Sequence, residues 1–160
     1  MAEKMTVNVT REGPIAVLEI DNVSQRNALT MAVKAALVPA LREAEEDADV
    51  RCIVITGAGN TFSAGGDVSL FGDMTPAKGR QIVFDQRNFL HLMLRGDTPI
   101  VAAVEGFAYG AGFGLAMAAD YTVAAEDAKF CASRESRNYA CKPSATWPHR
   151  LSGLCNDRYK

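Results

Sequence analysis

The chain has few of the residues that build metal sites and disulfide frameworks. Its 160 residues include four cysteines, two histidines and a single tryptophan. No two cysteines have the C-x-x-C spacing of a structural zinc site, and only His91 and His149 are available to complete such a site. The sequence therefore predicts neither a metal centre nor a set of disulfide bonds.

Long apolar runs and a strong charge imbalance are also absent from the sequence. No stretch approaches the roughly 20 apolar residues that cross a bilayer, and residues 1–4 lack the apolar core of a secretory signal. With a formal net charge of −2, the chain lacks the excess of positive charge that is typical of proteins that bind nucleic acid or anionic lipid. We therefore expect a cytoplasmic protein without nucleic-acid or membrane partners.

The spacing of apolar residues indicates alternating strands and helices. Alternation over 6–9 and 15–20 predicts a hairpin, and Thr30 is placed to cap a helix that contains Pro39. A second helix is predicted over 77–95. Further strands are predicted at 51–56, 100–104, 120–124 and 129–131, and the run at 115–119 is typical of a buried helix. This order favours an α/β fold with repeated β-β-α or β-α units.

Two glycine-rich segments each follow a short β-branched run. The first segment is FSAGGD at 62–67, and the second is GFAYGAGFG at 106–114. Loops at strand ends are where α/β proteins bind ligands. Glycine and alanine suit such loops, because a backbone with small side chains can approach a ligand and present its N–H groups. The sequence thus predicts that two loops converge on one ligand oxygen.

Five features in the same order identify a family. They are Asn27-Ala28-Leu29, the strand at 51–57, the segment at 62–67, the strand at 99–106, and Gly110-Ala111-Gly112 followed by Leu115-Ala116 and Asp120. Together they resemble the crotonase superfamily, also called the enoyl-CoA hydratase/isomerase family, over about residues 5 to 133. The resemblance implies an α/β, crotonase-like (ClpP/crotonase) β-β-α spiral, incomplete at the C-terminus.

The resemblance also implies a reaction centre made of backbone. The family stabilises a thioester enolate with two backbone N–H groups, which by position are those of Gly66 and Ala111. Preorganised amides aimed at a developing oxyanion stabilise it by about 3–4 kcal/mol per donor. Coenzyme A would enter as part of the thioester substrate, with no permanently bound cofactor, and the family assembles as homotrimers or hexamers.

The family holds the adenine and phosphopantetheine moieties with two short segments. The matching positions in this chain are Arg26, Ala28, Ala64, Gly65, Gly66, Asp67, Val68 and Gly110. Arg26 would offer a charge to a phosphate, although an arginine in a loop is often simply solvated. Asp67 is expected to order its own loop by bonding nearby amides.

Two departures from the family pattern concern the acid/base groups. The position of the first hydratase glutamate holds Gly114, and the second aligns with Arg134, next to Glu135. Two interpretations stay open. The chain is either a hydratase or isomerase that uses Glu135, or a noncatalytic acyl-CoA-binding or assembly protein that has lost these groups.

Two weaker alternatives come from other classes. Gly57-Ala58-Gly59 begins like a dinucleotide-binding fingerprint, but Phe62 replaces its third glycine. A serine peptidase of the related Clp-type spiral would need Ser, His and Asp in catalytic roles, and Ser63 with His91 is the only pair that fits.

The last 27 residues differ in composition from the rest. Residues 134–160 hold six Lys or Arg and two acidic residues, with Leu151 and Leu154 as their only aliphatic core formers. Such a segment buries too little apolar surface to close a core. The sequence therefore predicts a crotonase-like domain at 1–133 and an unrelated tail at 134–160. The tail is expected to be disordered, or to be the product of a shifted reading frame, a premature stop or an alternative terminal exon.

Overall fold

The computed structural model describes residues 6–67, 72 and 74–132. The predicted site residues Val68 and Glu135 and the predicted tail lie outside this part of the chain. In chain order the described elements are β1 (Val7–Glu12), β2 (Ile15–Ile20), a 3-10 turn (Val23–Gln25), α1 (Met31–Glu46), β3 (Cys52–Gly57), α2 (Pro76–Arg95), β4 (Ile100–Val104), β5 (Phe107–Tyr109), α3 (Ala111–Ala118), β6 (Tyr121–Ala124) and β7 (Lys129–Cys131).

Five strands form the main sheet in the order β1-β2-β3-β4-β6. The first pair is the predicted antiparallel hairpin, which turns through Gly13 and Pro14, and the remaining pairs are parallel. Alternate residues of β3 and β4 are at most 1% exposed, namely Ile53, Ile55, Ile100, Ala102 and Val104. This burial explains why these short apolar runs form strands.

A second, smaller layer of β-structure holds the glycine-rich segments. β5 and β7 are parallel, with Ala108 opposite Phe130. Two isolated bridges extend this layer, one between Ser63 and Ala108 and the other between Leu29 and Gly66. Each repeat of the chain thus passes from a main-sheet strand through a second-layer segment into a helix, which is the predicted β-β-α order.

The helix α1 begins where the sequence predicts. The Thr30 hydroxyl accepts a hydrogen bond from the Val33 amide at 3.2 Å and caps the first turn. The helix continues through Pro39 to Glu46. Its buried residues Val33 and Leu37 are 0% exposed, so core packing offsets the hydrogen bond that the proline removes.

The helix α2 is anchored at one end and exposed over part of its surface. The Thr75 hydroxyl caps it by accepting from the Lys78 amide at 3.2 Å. Phe89 and Met93 are buried, whereas Phe84 is 54% exposed. Among the described residues, no helix combines the length and apolar character that a membrane span requires.

A candidate active site built from two glycine-rich segments

The two glycine-rich segments are bonded to each other along their backbones. The Ser63 amide donates to the Phe107 carbonyl at 2.8 Å, and the Tyr109 amide donates to the Ser63 carbonyl at 2.9 Å. The Phe62 amide donates to the Glu105 carbonyl at 2.8 Å. These bonds fix residues 62–67, the first segment, against residues 106–114, the second segment.

Glycine allows the backbones of the two segments to come very close. Gly65 has a φ of +102°, and a Cβ at this residue would lie 2.6 Å from the Tyr109 carbonyl oxygen. The same Cβ would lie 3.4 Å from the Ala111 amide nitrogen. Any side chain at Gly65 would therefore clash with the second segment. The structure thus brings the end of the first segment next to the start of α3.

The amides of Gly66 and Ala111 are free of hydrogen bonds to any part of the chain that the structure describes. Gly66 is exposed and Ala111 is half-buried. Ala111 is the first residue of α3, where an amide has no partner within the helix. The helix dipole adds positive potential at this position. Two N–H groups of the two segments are therefore available to an external acceptor.

The side chain of Ser63 stabilises the first segment through two hydrogen bonds. It is fully buried. The Ser63 hydroxyl donates to the Asn27 carbonyl at 2.7 Å and accepts from the Gly65 amide at 3.2 Å. His91 lies exposed on α2. The buried hydroxyl is already engaged by the backbone, so the geometry does not support a peptidase nucleophile at Ser63.

Asn27 ties the segment before α1 to the loop that follows β3. It is fully buried and has a φ of +54°. Its side-chain amide donates to the carbonyls of Ala58 at 2.8 Å and Thr61 at 2.5 Å. Its side-chain oxygen accepts from the Asn22 amide at 3.0 Å. Sequence reasoning noted Asn27 as part of a motif but did not identify this supporting role.

The predicted coenzyme A-binding residues before α1 and those after β3 lie close together. The Ala64 amide donates to the Arg26 carbonyl at 2.9 Å, and the Leu29 amide donates to the Gly65 carbonyl at 2.8 Å. Arg26 is exposed, while Ala28 and Asp67 are half-buried. These contacts place the Arg26–Ala28 stretch beside the first segment.

Gly110, another predicted binding residue, lies in the second segment. It is the N-cap residue of α3, with a φ of +51°, and its amide donates to the Cys131 carbonyl at 2.8 Å. The described residues contain no group of three His, Cys, Asp or Glu side chains that could hold a metal ion.

Two glycines of α3 face different surroundings. A Cβ at Gly112 would lie 2.6 Å from the Ser63 Cβ and 2.7 Å from the Ser63 carbonyl oxygen. Apart from its chain neighbours and the backbone of α3 itself, a Cβ at Gly114 would meet no described atom within 4 Å. Gly112 therefore packs against the first segment, and Gly114 lies on the open side of the helix.

This difference predicts opposite effects of alanine on stability. We expect Gly112→Ala to cost about 1–3 kcal/mol, because the added methyl group overpacks the contact with Ser63. Gly114→Ala should raise the free energy of unfolding by about 0.5–1 kcal/mol, since alanine favours the helix. Urea unfolding of the two variants measures both effects, and a loss at Gly114 equal to that at Gly112 would contradict the packing described.

Comparison with known proteins identifies the family. Residues 10–138 match the enoyl-CoA hydratase/isomerase family. The chain belongs to this family. A probable enoyl-CoA hydratase of Mycobacterium tuberculosis is 35% identical over 150 residues, covering 92% of this chain and 57% of the relative. The short-chain-enoyl-CoA hydratase of Clostridium acetobutylicum is 34% identical over 130 residues, covering 80% and 49%.

Solved structures of the family confirm the fold. The crystal structure of an enoyl-CoA hydratase from Thermoplasma volcanium matches with a TM-score of 0.76 and 30% identity, covering 79% of this chain and 51% of that one. The crotonase-like α/β fold predicted from the sequence is therefore confirmed. This family member spans about half the length of the curated relatives it matches.

The family match also bears on two earlier interpretations. It extends five residues beyond Ser133, to residue 138, and so includes Glu135. The dinucleotide-binding alternative is wrong, because residues 58–67 lead from β3 into the second-layer bridges of a crotonase-like fold. The boundary at 133 and the nature of the tail stay predictions.

Proposed function

We propose that this chain binds an acyl-CoA thioester and stabilises the enolate of its acyl group through the amides of Gly66 and Ala111. The observation that carries the proposal is the close contact between the two segments. Their backbones are hydrogen-bonded to each other, yet these two N–H groups have no described acceptor. Removing a proton next to a thioester, or adding water to its double bond, places negative charge on the carbonyl oxygen. Fixed amides are suited to that charge because they need no reorganisation during the reaction.

Recognition of the coenzyme A moiety is assigned to the stretch beside the first segment. The exposed Arg26 is available to a phosphate of the cofactor. The amides of Ala28 and Ala64 already donate to the carbonyls of Gln25 and Arg26, so these two residues are proposed to accept from the adenine edge or the pantetheine amides through their carbonyls. Gly65, Asp67, Val68 and Gly110 complete the proposed binding set. Two curated relatives are enoyl-CoA hydratases, which supports an unsaturated thioester as the substrate class.

The proton-transfer group is proposed to be Glu135. Gly114 occupies the place of one family glutamate and supplies no titratable group. Glu135 stands beside the position of the second and lies within the family match. We further propose assembly as a homotrimer or hexamer, which the family resemblance implies.

The glycine at position 114 also favours a second candidate function. Without an acid/base group, the same two amides would bind a thioester carbonyl but would not turn the substrate over. The chain would then be a noncatalytic acyl-CoA-binding or assembly protein.

Removing one proposed donor tests the oxyanion role. Proline is well tolerated at the first position of a helix, so Ala111→Pro deletes the Ala111 N–H while α3 can still form. We expect turnover of crotonyl-CoA, followed as loss of the conjugated thioester absorbance, to fall by a factor of about 100–1,000. Ala111→Gly keeps the amide and serves as the control. A proline variant that melts like the parent and keeps its activity would reject the role of this amide.

The same assays separate the two candidate functions. Crotonyl-CoA binding is measured by calorimetry beside turnover, in the parent chain and in Glu135→Gln. Turnover that disappears in Glu135→Gln while binding persists supports the hydratase or isomerase. Saturable binding without turnover in the parent supports the noncatalytic alternative. Absence of binding in a folded parent chain rejects both.

A further inference from the structure

The Gly66 amide belongs to a peptide unit that lies between two glycines. This unit joins the Gly65 carbonyl to the Gly66 N–H, and in a planar trans peptide these two groups point in opposite directions. Glycine adopts conformations that are closed to other residues, so side chains on either side do not oppose rotation of the unit. The direction of the Gly66 N–H therefore depends on the hydrogen bonds that hold the peptide unit.

Hydrogen bonds hold Gly65 on both sides. The Leu29 amide donates to the Gly65 carbonyl at 2.8 Å, which turns the Gly66 N–H away from Leu29. The Gly65 amide donates to the Ser63 hydroxyl oxygen at 3.2 Å. Gly65 is buried and has a φ of +102°, so both bonds are shielded from competition by water. Together they fix the conformation on which the direction of the Gly66 N–H depends.

The Ser63 hydroxyl also ties the first segment to the stretch before α1. It donates to the Asn27 carbonyl at 2.7 Å while it accepts from the Gly65 amide. Asn27 lies two residues before Leu29, so this link keeps the Gly65 carbonyl within reach of the Leu29 amide. The bond from Ser63 to Gly65 is made by a side chain, and a single substitution can therefore remove it without changing the backbone.

We propose that Ser63 is a positioning residue, whose hydroxyl group holds the Gly65–Gly66 peptide unit in the orientation that aims the Gly66 N–H at the thioester oxygen. This inference rests on the proposed function, because it takes Gly66 as an oxyanion donor. Ser63 is fully buried and acts through Gly65 rather than by contact with the substrate. Without the hydroxyl group, the thioester would still bind through its coenzyme A moiety, but its carbonyl group would be polarised less.

Infrared spectroscopy of bound crotonyl-CoA, isotopically labelled at the thioester carbonyl, tests the inference. Hydrogen bonds to a carbonyl oxygen lower its stretching frequency, so this frequency reports how well the donors are aimed, with or without turnover. In Ser63→Ala we expect the downward shift on binding to fall to about half or less, and turnover, measured in the same variant, to fall by about tenfold or more. The affinity for crotonyl-CoA should change by less than about threefold. A residue that only stabilised the fold would change the folded fraction but not the carbonyl frequency of the bound ligand.

Thr122→Val is the matched control. The half-buried Thr122 hydroxyl donates to the Ala116 carbonyl at 2.9 Å, so this variant also removes one hydroxyl bond to the backbone, at a position outside the two segments. It should bind crotonyl-CoA with the frequency shift of the parent chain. Ser63→Cys is a second test variant: it keeps the shape of the side chain, but sulfur is a weak acceptor. It should also reduce the shift, and it provides the measurement if Ser63→Ala does not fold.

The outcomes distinguish this inference from the function on which it rests. If crotonyl-CoA does not bind the folded parent chain, or binds without a downward shift, the proposed function fails and the inference with it. If the parent chain shows the shift and a folded Ser63 variant keeps it in full, the inference alone is overturned. An equal reduction in Thr122→Val would also overturn it, because the effect would then not be specific to Ser63. A reduced shift in the Ser63 variants alone supports the positioning role.

Discussion

Gly65→Ala should destabilise the protein by about 3 kcal/mol and abolish thioester binding. Gly65 has a φ of +102°, which a residue with a Cβ rarely adopts. The new methyl group would also lie 2.6 Å from the Tyr109 carbonyl oxygen. Left-handed strain and overpacking each cost about 1–3 kcal/mol, and relief of the clash would move the first segment away from the Ala111 amide. Urea unfolding and calorimetric titration with crotonyl-CoA measure the two effects.

The neighbouring glycine provides the control for stability. A Cβ at Gly66 would meet no described atom within 4 Å, and its φ is not positive. Gly66→Ala should therefore change the free energy of unfolding by less than about 0.5 kcal/mol. Equal stability of the two alanine variants would show that the first segment does not press against Tyr109 as described.

The second large effect is expected at Asn27. Asn27→Asp keeps the size of the side chain and its tolerance of a left-handed backbone, but an ionised carboxylate donates no hydrogen bonds. It would face the carbonyls of Ala58 and Thr61 in a fully buried site. We expect a loss of about 3 kcal/mol or more at neutral pH, because a buried charge is left opposite two acceptors.

The pH dependence of this variant has a defined sign. Burial and the two carbonyls favour the neutral carboxyl group and so raise its pKa above that of the unfolded chain. The loss should therefore be largest at neutral pH and shrink as the pH falls through the raised pKa, where the protonated group can donate once. Urea unfolding at about pH 7 and about pH 5 measures the change against the parent chain at the same pH.

Asn60 is the matched control for Asn27. Its φ is +55°, almost the same as that of Asn27, but it is exposed. No side-chain hydrogen bond of Asn60 occurs among residues 6–67, 72 and 74–132. Asn60→Asp should change stability by less than about 0.5 kcal/mol. A comparable loss at both positions would mean that the hydrogen bonds of Asn27 contribute little.

Local sequence signals predict the elements of this fold well. Alternating apolar residues mark β2 and β3, and Thr30 marks the start of α1 because it provides an N-cap oxygen. Helix α1 also accommodates Pro39, although a proline inside a helix removes a hydrogen bond. These features act over a few residues, so a single sequence displays them directly.

The supporting contacts of the site are less visible in the sequence. Asn27 bonds carbonyls 31 and 34 residues away. Gly112 and Gly114 are both helical glycines, and only the three-dimensional neighbourhood shows that an added Cβ would clash with Ser63 at position 112 and with no described neighbour outside α3 at position 114. The roles of Val68 and Glu135 stay predictions.

The interlock of the two segments also has a consequence for motion. Across the contact the Ser63 amide donates to the Phe107 carbonyl and the Ser63 carbonyl accepts from the Tyr109 amide, and Gly65 lies too close to the Tyr109 carbonyl to carry a side chain. Neither segment can separate without breaking the bonds of the other. The amides of Ser63 and Tyr109 should therefore become accessible to solvent in one shared opening event and exchange hydrogen for deuterium with a common free energy. The two segments, about forty residues apart in sequence, would behave as one cooperative unit.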